Sequence, residues 1–143
     1  METTQGPRPA PLDGIRVLDF SHQAAGPWAT TLLGDLGADV LKVEKPGRGD
    51  SIRYGQGEDG FEVGSLNFWG LNRSKRSLTI DLGKPEGIAL VHRLVSDVDV
   101  VVENFRPGVM DRKGIGYDEL CRRNSRLVYC GITAFGKLSL IHI

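Results

Sequence analysis

The sequence predicts an α/β domain built on a Rossmann-like parallel sheet with flanking helices. Three observations predict it. Residues 12–44 read as strand, loop, helix and strand, the unit that joins parallel strands through a right-handed crossover. Residues 78–102 follow the same strand–helix–strand order. Val100, Val101 and Val102 form an unbroken apolar run, which suits a strand covered on both faces.

In the first unit, Ile15, Val17, Leu18 and Phe20 make a short buried strand. Gly26 can cap the next helix, and Pro27 suits its first turn, where a missing N–H costs nothing. Trp28, Leu32, Leu33 and Leu36 supply that helix's apolar face. Gly37 fits the left-handed position at its end, and Val40, Leu41 and Val43 form the second strand. The loop 21–26 then lies at the carboxyl end of the first strand, against a helix N-terminus. Exposed N–H groups and the helix dipole favour an anion there, at the edge where open α/β sheets bind ligands. The Gly-x-Gly-x-x-Gly fingerprint and the Lys-Ser/Thr of a P-loop are both absent from this loop. Taken alone, the geometry favours an ordinary scaffold crossover.

Residues 45–50 compose a turn. Glu44 at a strand end could hold a ribose, and Lys45 and Arg48 could hold a phosphate. Without further support, ordinary charges on a solvated turn are the stronger reading. Residues 51–71 show no clear period but carry five glycines and the aromatics Tyr54, Phe61, Phe68 and Trp69. So long an irregular stretch is usually functional or disordered. The aromatics favour packing against substrate or a second subunit, with a short helix over 65–71. The basic cluster Asn72-Arg-Ser-Lys-Arg-Ser77 precedes a strand at 78–82, where Leu78, Ile80 and Leu82 alternate with Thr79 and Asp81. The cluster suits a phosphorylated ligand better than a nucleic acid, and a solvated turn is its plainest reading.

Pro85 and Glu86 start a helix that buries Ile88, Val91, Leu94 and Val95 and ends at 97–99. The strand 100–102 leads into a second carboxyl-edge loop, 103–108. A short helix at 109–113, a break at Gly114 and Gly116, a helix at 117–123 and a strand at 127–132 complete the order.

Composition narrows the function classes. The 143 residues suffice for one domain with a core. Lys+Arg and Asp+Glu are both 18, so net charge gives no general affinity for nucleic acid or membrane. No apolar run reaches membrane-spanning length. Cys121 and Cys130 lack metal or disulfide spacing and read as buried free thiols of a reducing compartment. Residues 1–10 are polar and lack the apolar region of a leader, so they read as the flexible terminus of a cytoplasmic protein.

Four strings in order are more specific. Pro11-Leu-Asp-Gly-Ile-Arg-Val-Leu-Asp-Phe20, Ala25-Gly-Pro27 and Leu36-Gly-Ala-Asp-Val-Leu-Lys-Val-Glu44 together strongly resemble the opening of the class III CoA transferases. The run from Asn72 to Leu82 resembles that family's Asn-x-x-Lys-Arg-Ser segment. Glu103-Asn-Phe-Arg-Pro-Gly108 is similar to its Glu-Asn-(Phe/Tyr)-x-Pro-Gly run. Asn124 to Gly136, with Tyr129 and Ala134-Phe-Gly136, resembles its Asn-Pro-(Lys/Arg)…Gly-(Phe/Tyr)-Gly segment. The resemblance covers residues 11–136 and implies the N-terminal part of the class III CoA-transferase fold.

The resemblance implies an enzyme that moves CoA between an acyl-CoA thioester and a small carboxylic acid. No tightly bound cofactor is implied; coenzyme A or acyl-CoA enters as substrate. In the family an aspartate attacks the thioester to give a mixed anhydride, CoA returns to give an enzyme-bound thioester, and the acceptor acid takes the CoA. Carried over by position, Ala24 and Ala25 contact the CoA, and Lys45 lies near its adenosine end. Ile80, Asp81, Leu82 and Gly83 form one wall of the adenine pocket. Asn104, Phe105, Arg106 and Arg112 form another. The full-length family members are interlocked homodimers. An acyl-CoA racemase on the same fold, or a non-catalytic CoA-binding module, are the alternatives.

Departures qualify the match. Formyl-CoA-specific members carry glutamine where Ala24 stands, and Gln23 is its nearest substitute. Gly83 replaces a common lysine, and Lys84 follows it. Residues 137–143 resemble nothing in the family and read as the end of a truncated frame; His142 within them has no catalytic role. The family's aspartate lies beyond residue 136, so no catalytic residue is assigned, and Asp19, Asp35 and Asp50 read as structural.

Overall fold

Five strands, Arg16–Asp19 (β1), Asp39–Glu44 (β2), Lys75–Thr79 (β3), Val100–Glu103 (β4) and Val128–Gly131 (β5), form one sheet. Every neighbouring pair is parallel, in the order β3-β2-β1-β4-β5. The helices are Ala25–Asp35 (α1), Leu66–Asn72 (α2), Pro85–Leu94 (α3), Val109–Arg112 (α4) and Tyr117–Arg123 (α5). This architecture comes from a computed structural model that describes residues 9–54, 66–134 and 136. Most of the expected terminus 1–10, the stretch 55–65, Phe135 and the tail 137–143 lie outside the described residues.

Strand order reverses between β1 and β4, so the loops after these two strands diverge and leave a crevice. Side chains alternate across the sheet. Leu18, Phe20, Val43 and Val101 face one way and pack with Val91, Val95, Met110, Ile115 and Leu120 from the α3–α5 layer. Val17, Val40 and Val102 face the other way, with Ala38 and Leu33.

Helix α1 differs from its expected packing. Its buried residues are Gly26, Pro27, Thr30 and Thr31, whereas Trp28, Leu32 and Leu36 are 47%, 44% and 46% exposed. The small side of the helix faces the sheet, because the polar end of β1 lies beneath it and Thr30 Oγ1 donates to Asp19 Oδ2 at 2.6 Å. The helix cap is Ala24, one residue before the helix and two before the expected Gly26. Gly26 lies inside the first turn, where a Cβ would stand 2.2 Å from Ser21 Cβ. The C-terminus is as expected. Gly37 has φ +101°, Ala38 N–H donates to the Leu33 carbonyl and Gly37 N–H to the Gly34 carbonyl, a Schellman motif.

Strand β3 begins three residues before the expected 78–82, and its ladder with β2 starts at the Val40–Lys75 pair. The basic residues enter the ladder because carboxylates neutralise them: Lys75 meets Asp19 and Arg76 meets Asp39. Helix α5 matches the expected 117–123, and α4, β4 and β5 differ from expectation by a residue or two at their ends; α3 ends at Leu94, before the expected 97–99, and a 3-10 turn, Val95–Asp97, takes over. Both cysteines are free, but neither is buried as expected: Cys121 is half-buried and Cys130 exposed. Cys130 lies on the edge strand β5, which also leaves Val128 exposed. No helix among the described residues is long and apolar enough to cross a membrane.

Two glycines test the packing in opposite directions. A Cβ on Gly87 in α3 would stand 2.0 Å from the Asp81 backbone carbonyl oxygen, so helix or strand end must move. Gly87→Ala is expected to lower stability by about 1–3 kcal/mol, the usual cost of overpacking. Gly70 in α2 has open space around it, and Gly70→Ala should raise stability by about 0.5–1 kcal/mol. Urea denaturation of the two variants decides it; equal effects would contradict the close approach of α3 to residues 80–81.

Candidate functional site

At the carboxyl end of the sheet, two lysines are buried beneath the loop 21–26. Lys75 Nζ donates to Asp19 Oδ2 at 3.2 Å, to the Pro27 carbonyl at 2.8 Å and to Asn72 Oδ1 at 3.0 Å. All three ammonium protons are thus placed. Burial pulls the Lys75 amine down to about 8; the Asp19 charge opposes the fall and the neighbouring Lys42 adds to it. Lys42 Nζ donates to the Ser21 carbonyl at 2.8 Å and lies 3.0 Å from Asp50 Oδ2, an ionic contact without hydrogen-bond alignment. Both side chains of that pair are about 98–99% buried.

The carboxylates hold backbone in return. Asp19 accepts from the Ser21 N–H at 2.9 Å and from the Ser21 hydroxyl. Asp50 Oδ1 accepts from the N–H groups of Gln23 at 3.1 Å and Ile52 at 3.2 Å. Asn104, at the start of the loop after β4, brackets His22: its Oδ1 accepts from the His22 N–H at 2.9 Å and its Nδ2 donates to the His22 carbonyl at 2.8 Å. These bonds fix the loop even though Gln23 takes the left-handed φ of 66°.

Glu44 is not available for a ribose. Arg53 grips it through Nε and Nη2, both at 2.7 Å, while Ser77 Oγ donates at 2.7 Å and the Asp50 N–H at 3.1 Å. Burial alone would raise its carboxyl, but the Arg53 and Ser77 hydrogen bonds, the Asp50 N–H and the Arg53 charge outweigh that and hold it at about 2. Arg53 also lies 3.6 Å over the Phe68 ring, tying α2 to the same cluster. The basic cluster 72–77 is likewise committed to the scaffold. Arg73 pairs with Asp35, Lys75 with Asp19 and Arg76 with Asp39, which leaves none of its cations for a phosphorylated ligand. Asp19, Asp35 and Asp50, expected to be structural, are each paired with a lysine or arginine of the scaffold.

Above this network opens a cleft of about 650 Å³. Phe20, Val43, Ile80, Leu82 and Phe105 supply apolar surface, and the His22 ring lies 5.0 Å from the Phe105 ring. Lys45, Arg48 and Lys113 also line it, and none is ion-paired with a carboxylate among the described residues. Arg48 lies 5.9 Å over the Tyr54 ring, and Lys113 Nζ donates to the Leu82 carbonyl at 3.0 Å. No group of three His, Cys, Asp or Glu side chains among the described residues could hold a metal. The arrangement offers flat apolar surface for a planar group and, for anionic groups beside it, cations without carboxylate partners among the described residues.

The cleft brings together six of the residues expected from sequence: Lys45, Ile80, Asp81, Leu82, Gly83 and Phe105. The others lie elsewhere. Ala24 and Ala25 are exposed at the start of α1, and Asn104 braces the loop after β1. Arg106 borders a separate hollow of about 70 Å³ with Glu103 and Tyr129, and Arg112 is exposed on α4. Burial, with the Glu103 charge beside it, pushes the Tyr129 phenol above its ordinary value. Lys84 is exposed and outside the cleft wall. Sequence reasoning missed Phe20, Val43 and Lys113. Phe20 directly follows β1 and Val43 is next to last in β2, both on the α3 side, which a strand alternation could have indicated. Lys113 follows Arg112 directly, and composition does not tell which of the two turns inward.

The model of the family described as CoA-transferase family III matches residues 12–139. The succinate–glutarate CoA-transferase of Agrobacterium fabrum is 44% identical over 135 residues, covering 91% of this chain and 34% of that protein. The formyl-CoA:oxalate CoA-transferase of Rhodopseudomonas palustris strain HaA2 is 48% identical over 125 residues, covering 87% and 29%. A crystal structure of a CAIB/BAIF family protein from Brucella suis superposes with TM-score 0.83 at 45% identity, covering 90% of this chain and 35% of that one. The chain spans about a third of the length of these relatives.

The ionic network makes two stability predictions. Asp19→Ala leaves Lys75 buried without its counter-charge and should cost about 3–5 kcal/mol. Glu44 titrates lower in the folded than in the unfolded chain. Its contribution is therefore complete above about pH 4.5 and is lost as pH falls from there to about 2. Denaturant midpoints should fall across that window, and Glu44→Gln should be less stable at neutral pH with a flatter acid limb. An unchanged acid limb in Glu44→Gln would show that other carboxylates set it.

Proposed function

Since this chain belongs to the CoA-transferase family III, we propose that its cleft binds the nucleotide end of a CoA thioester for transfer of CoA to a carboxylic acid. One observation carries the reading: an apolar slot at the carboxyl edge of a parallel sheet, edged by Lys45, Arg48 and Lys113 without carboxylate partners among the described residues. Adenine supplies a flat apolar surface for such a slot, and the CoA phosphates supply anions for its rim.

In this reading Ile80, Asp81, Leu82 and Gly83 form one wall for the adenine, and Phe105 forms the facing one. Lys45 and Arg48 neutralise the diphosphate. Ala24 and Ala25 meet the extended part of the CoA where α1 exposes its first N–H groups. Arg106 and Arg112 approach from outside the cleft and serve as rim charge. Asn104 acts through the loop it braces.

The acyl-carrying aspartate of the proposed reaction is assigned to no residue of this chain. Asp19, Asp35, Asp50 and Glu44 are each held in ion pairs by scaffold cations. The chain's contribution is binding and orientation: the network under loop 21–26 presents a preformed cleft, so the thioester meets a fixed surface. The reaction proposed for the whole enzyme forms an acyl–carboxylate anhydride with release of the CoA thiolate. That thiolate then attacks the enzyme carboxylate carbon and expels the acyl group as its acid. The acceptor acid finally receives the CoA through the reverse pair of steps. An interlocked homodimer belongs to the same proposal, and the exposed Trp28, Leu32 and Leu36 stripe supports it as a surface that water alone covers poorly.

Titration of CoA into the 143-residue chain, followed by two-dimensional amide NMR, tests the reading. Shifts are expected at residues 80–83 and at Phe105. The double variant Lys45→Glu, Arg48→Glu should weaken binding at least about tenfold, since one charge-assisted contact is worth about 1.5–3 kcal/mol. Dispersed spectra that ignore CoA, or shifts confined to the Arg106 hollow, would overturn it.

A further inference from the structure

We propose that Lys75 and Asn72 form a pH-operated switch beneath the cleft: when the buried Lys75 ammonium loses a proton to solvent, the Asn72 side-chain amide turns over, giving up the Phe68 carbonyl to donate to the amine lone pair. The switch lies in the scaffold and works in the free chain, whatever the cleft binds.

Donor counting requires a rearrangement. An ammonium has three N–H donors and no acceptor. Lys75 Nζ meets three acceptors from three elements: Asp19 Oδ2 of β1 at 3.2 Å, the Pro27 carbonyl of α1 at 2.8 Å and Asn72 Oδ1 of α2 at 3.0 Å. The Lys75 side chain is 2% exposed and that of Asp19 0%, so bulk water does not reach the contact. A neutral amine has two donors and a lone pair, which leaves one of the three acceptors facing that lone pair. Asp19 and the Pro27 carbonyl can only accept. Asp19 is also held by the Ser21 N–H and the Thr30 hydroxyl. Asn72 alone carries a donor as well: its Nδ2 now donates to the Phe68 carbonyl at 3.0 Å. Half a turn of the amide brings Nδ2 to Nζ. Oδ1 then faces the Phe68 carbonyl, so the last turn of α2 must ease open in the same step. Only Phe68 and Asn72 of α2 are buried, which makes it less anchored than β1 or α1.

The charges that face the ammonium are Asp19 from β1, Lys42 from β2 and Asp50 from the turn after β2. Lys42 shares its side of the sheet, because Lys75 pairs in register with Val40, two residues before it. Helix α2 has no ionisable side chain, and the only one in α1, Asp35, is paired with Arg73. Glu44, further along β2, is paired with Arg53, and Arg76 of β3 with Asp39. Burial outweighs the attraction of Asp19 and, with Lys42, brings the proton loss down to about 8. An unfolded lysine keeps its proton to 10.5. Between the two values the unfolded chain binds more protons, so the Lys75 contribution to stability rises with pH there. The change at Asn72 is therefore a step within the folded state and not the start of alkaline unfolding.

Carbon-detected NMR of the labelled full chain, from about pH 6 to about 10.5, follows Lys75 Cε, Asn72 Cγ and the Phe68 carbonyl carbon. All three are expected to move with one midpoint near 8, and the Pro27 carbonyl carbon to move less than that of Phe68. A Lys75 midpoint above about 10 would overturn the switch, as would an Asn72 Cγ that ignores the Lys75 titration. A larger movement at Pro27 would place the lost bond on α1 and overturn it equally. Asn72→Leu removes the third acceptor at similar volume. The charged Lys75 then has an unmet donor, so its midpoint is expected to fall by roughly one pH unit, and the Phe68 carbonyl carbon to lose its dependence on pH. An unchanged midpoint would leave Asn72 a purely structural residue and sink the proposal. Should Asn72→Leu fail to fold, the wild-type titration decides alone.

Discussion

Two ammonium groups buried next to each other set the terms for this structure. Lys42 and Lys75 come from neighbouring strands and enter the same face of the sheet, where neither could remain charged without a partner. Asp19 and Asp50 answer them, one from the end of β1 and one from the turn after β2. Each carboxylate then uses its remaining capacity on the backbone of loop 21–26, and each lysine donates to a carbonyl of that loop or of the first turn of α1. The loop is therefore held by charges that have no alternative partners within the buried cluster. Breaking one pair would loosen the cleft floor as well as lower stability. Such clusters are weak sources of net stability, since burying the charges costs about as much as pairing them returns. Their effect is to select one geometry for the loop.

The same cluster explains which parts of the fold could be read from the chain. The α3 side of the sheet was legible because Val91, Val95, Val101 and Ile115 obey simple apolar spacing; α5 falls where expected, and α3 starts where expected but passes into a 3-10 turn at Val95. The α1 side was not. There the helix presents Gly26, Thr30 and Gly34 inward, because a polar strand end requires hydrogen-bond donors and close approach from above. A rule that seeks the apolar stripe then chooses Trp28, Leu32 and Leu36, which face outward. The early start of β3 was hidden for the same reason. Lysine and arginine argue against a strand until their carboxylate partners, from 37 to 56 residues away in sequence, are brought alongside.

The candidate site divides along a similar line. Residues 80–83 and Phe105 were indicated by the family resemblance, and they line one cleft because the loops after parallel strands converge on one edge. Asn104 was singled out for ligand contact, and its amide bonds the His22 backbone through both its oxygen and its nitrogen. It braces the loop after β1. Arg106 and Lys113 show the complementary difficulty. Both are cations near the turn after β4, but only tertiary geometry turns one toward a small hollow and the other across α4 into the cleft.

Charge distribution then connects scaffold to function. The chain is formally neutral, with 18 cationic and 18 anionic side chains, so nothing about its total charge attracts a polyanion. Neutrality is uneven, however. Seven ion pairs among the described residues consume Lys42, Arg53, Arg73, Lys75, Arg76, Arg122 and Arg123. Around the cleft the pairing stops: the carboxylates Glu44 and Asp50 in its wall are already bound to Arg53 and Lys42, while Lys45, Arg48 and Lys113 lack carboxylate partners among the described residues. Two of the three acids in the cleft wall are thus neutralised from below; the third, Asp81, carries no ion pair among the described residues and accepts from the Gly83 N–H, so the three cations still outnumber the free carboxylate. The buried pairs under the loop and the cations at the rim act as one electrostatic arrangement, in which the pairs that fix the geometry of the floor leave the charge of the rim unpaired with carboxylates among the described residues, as the proposed binding of a phosphorylated ligand requires.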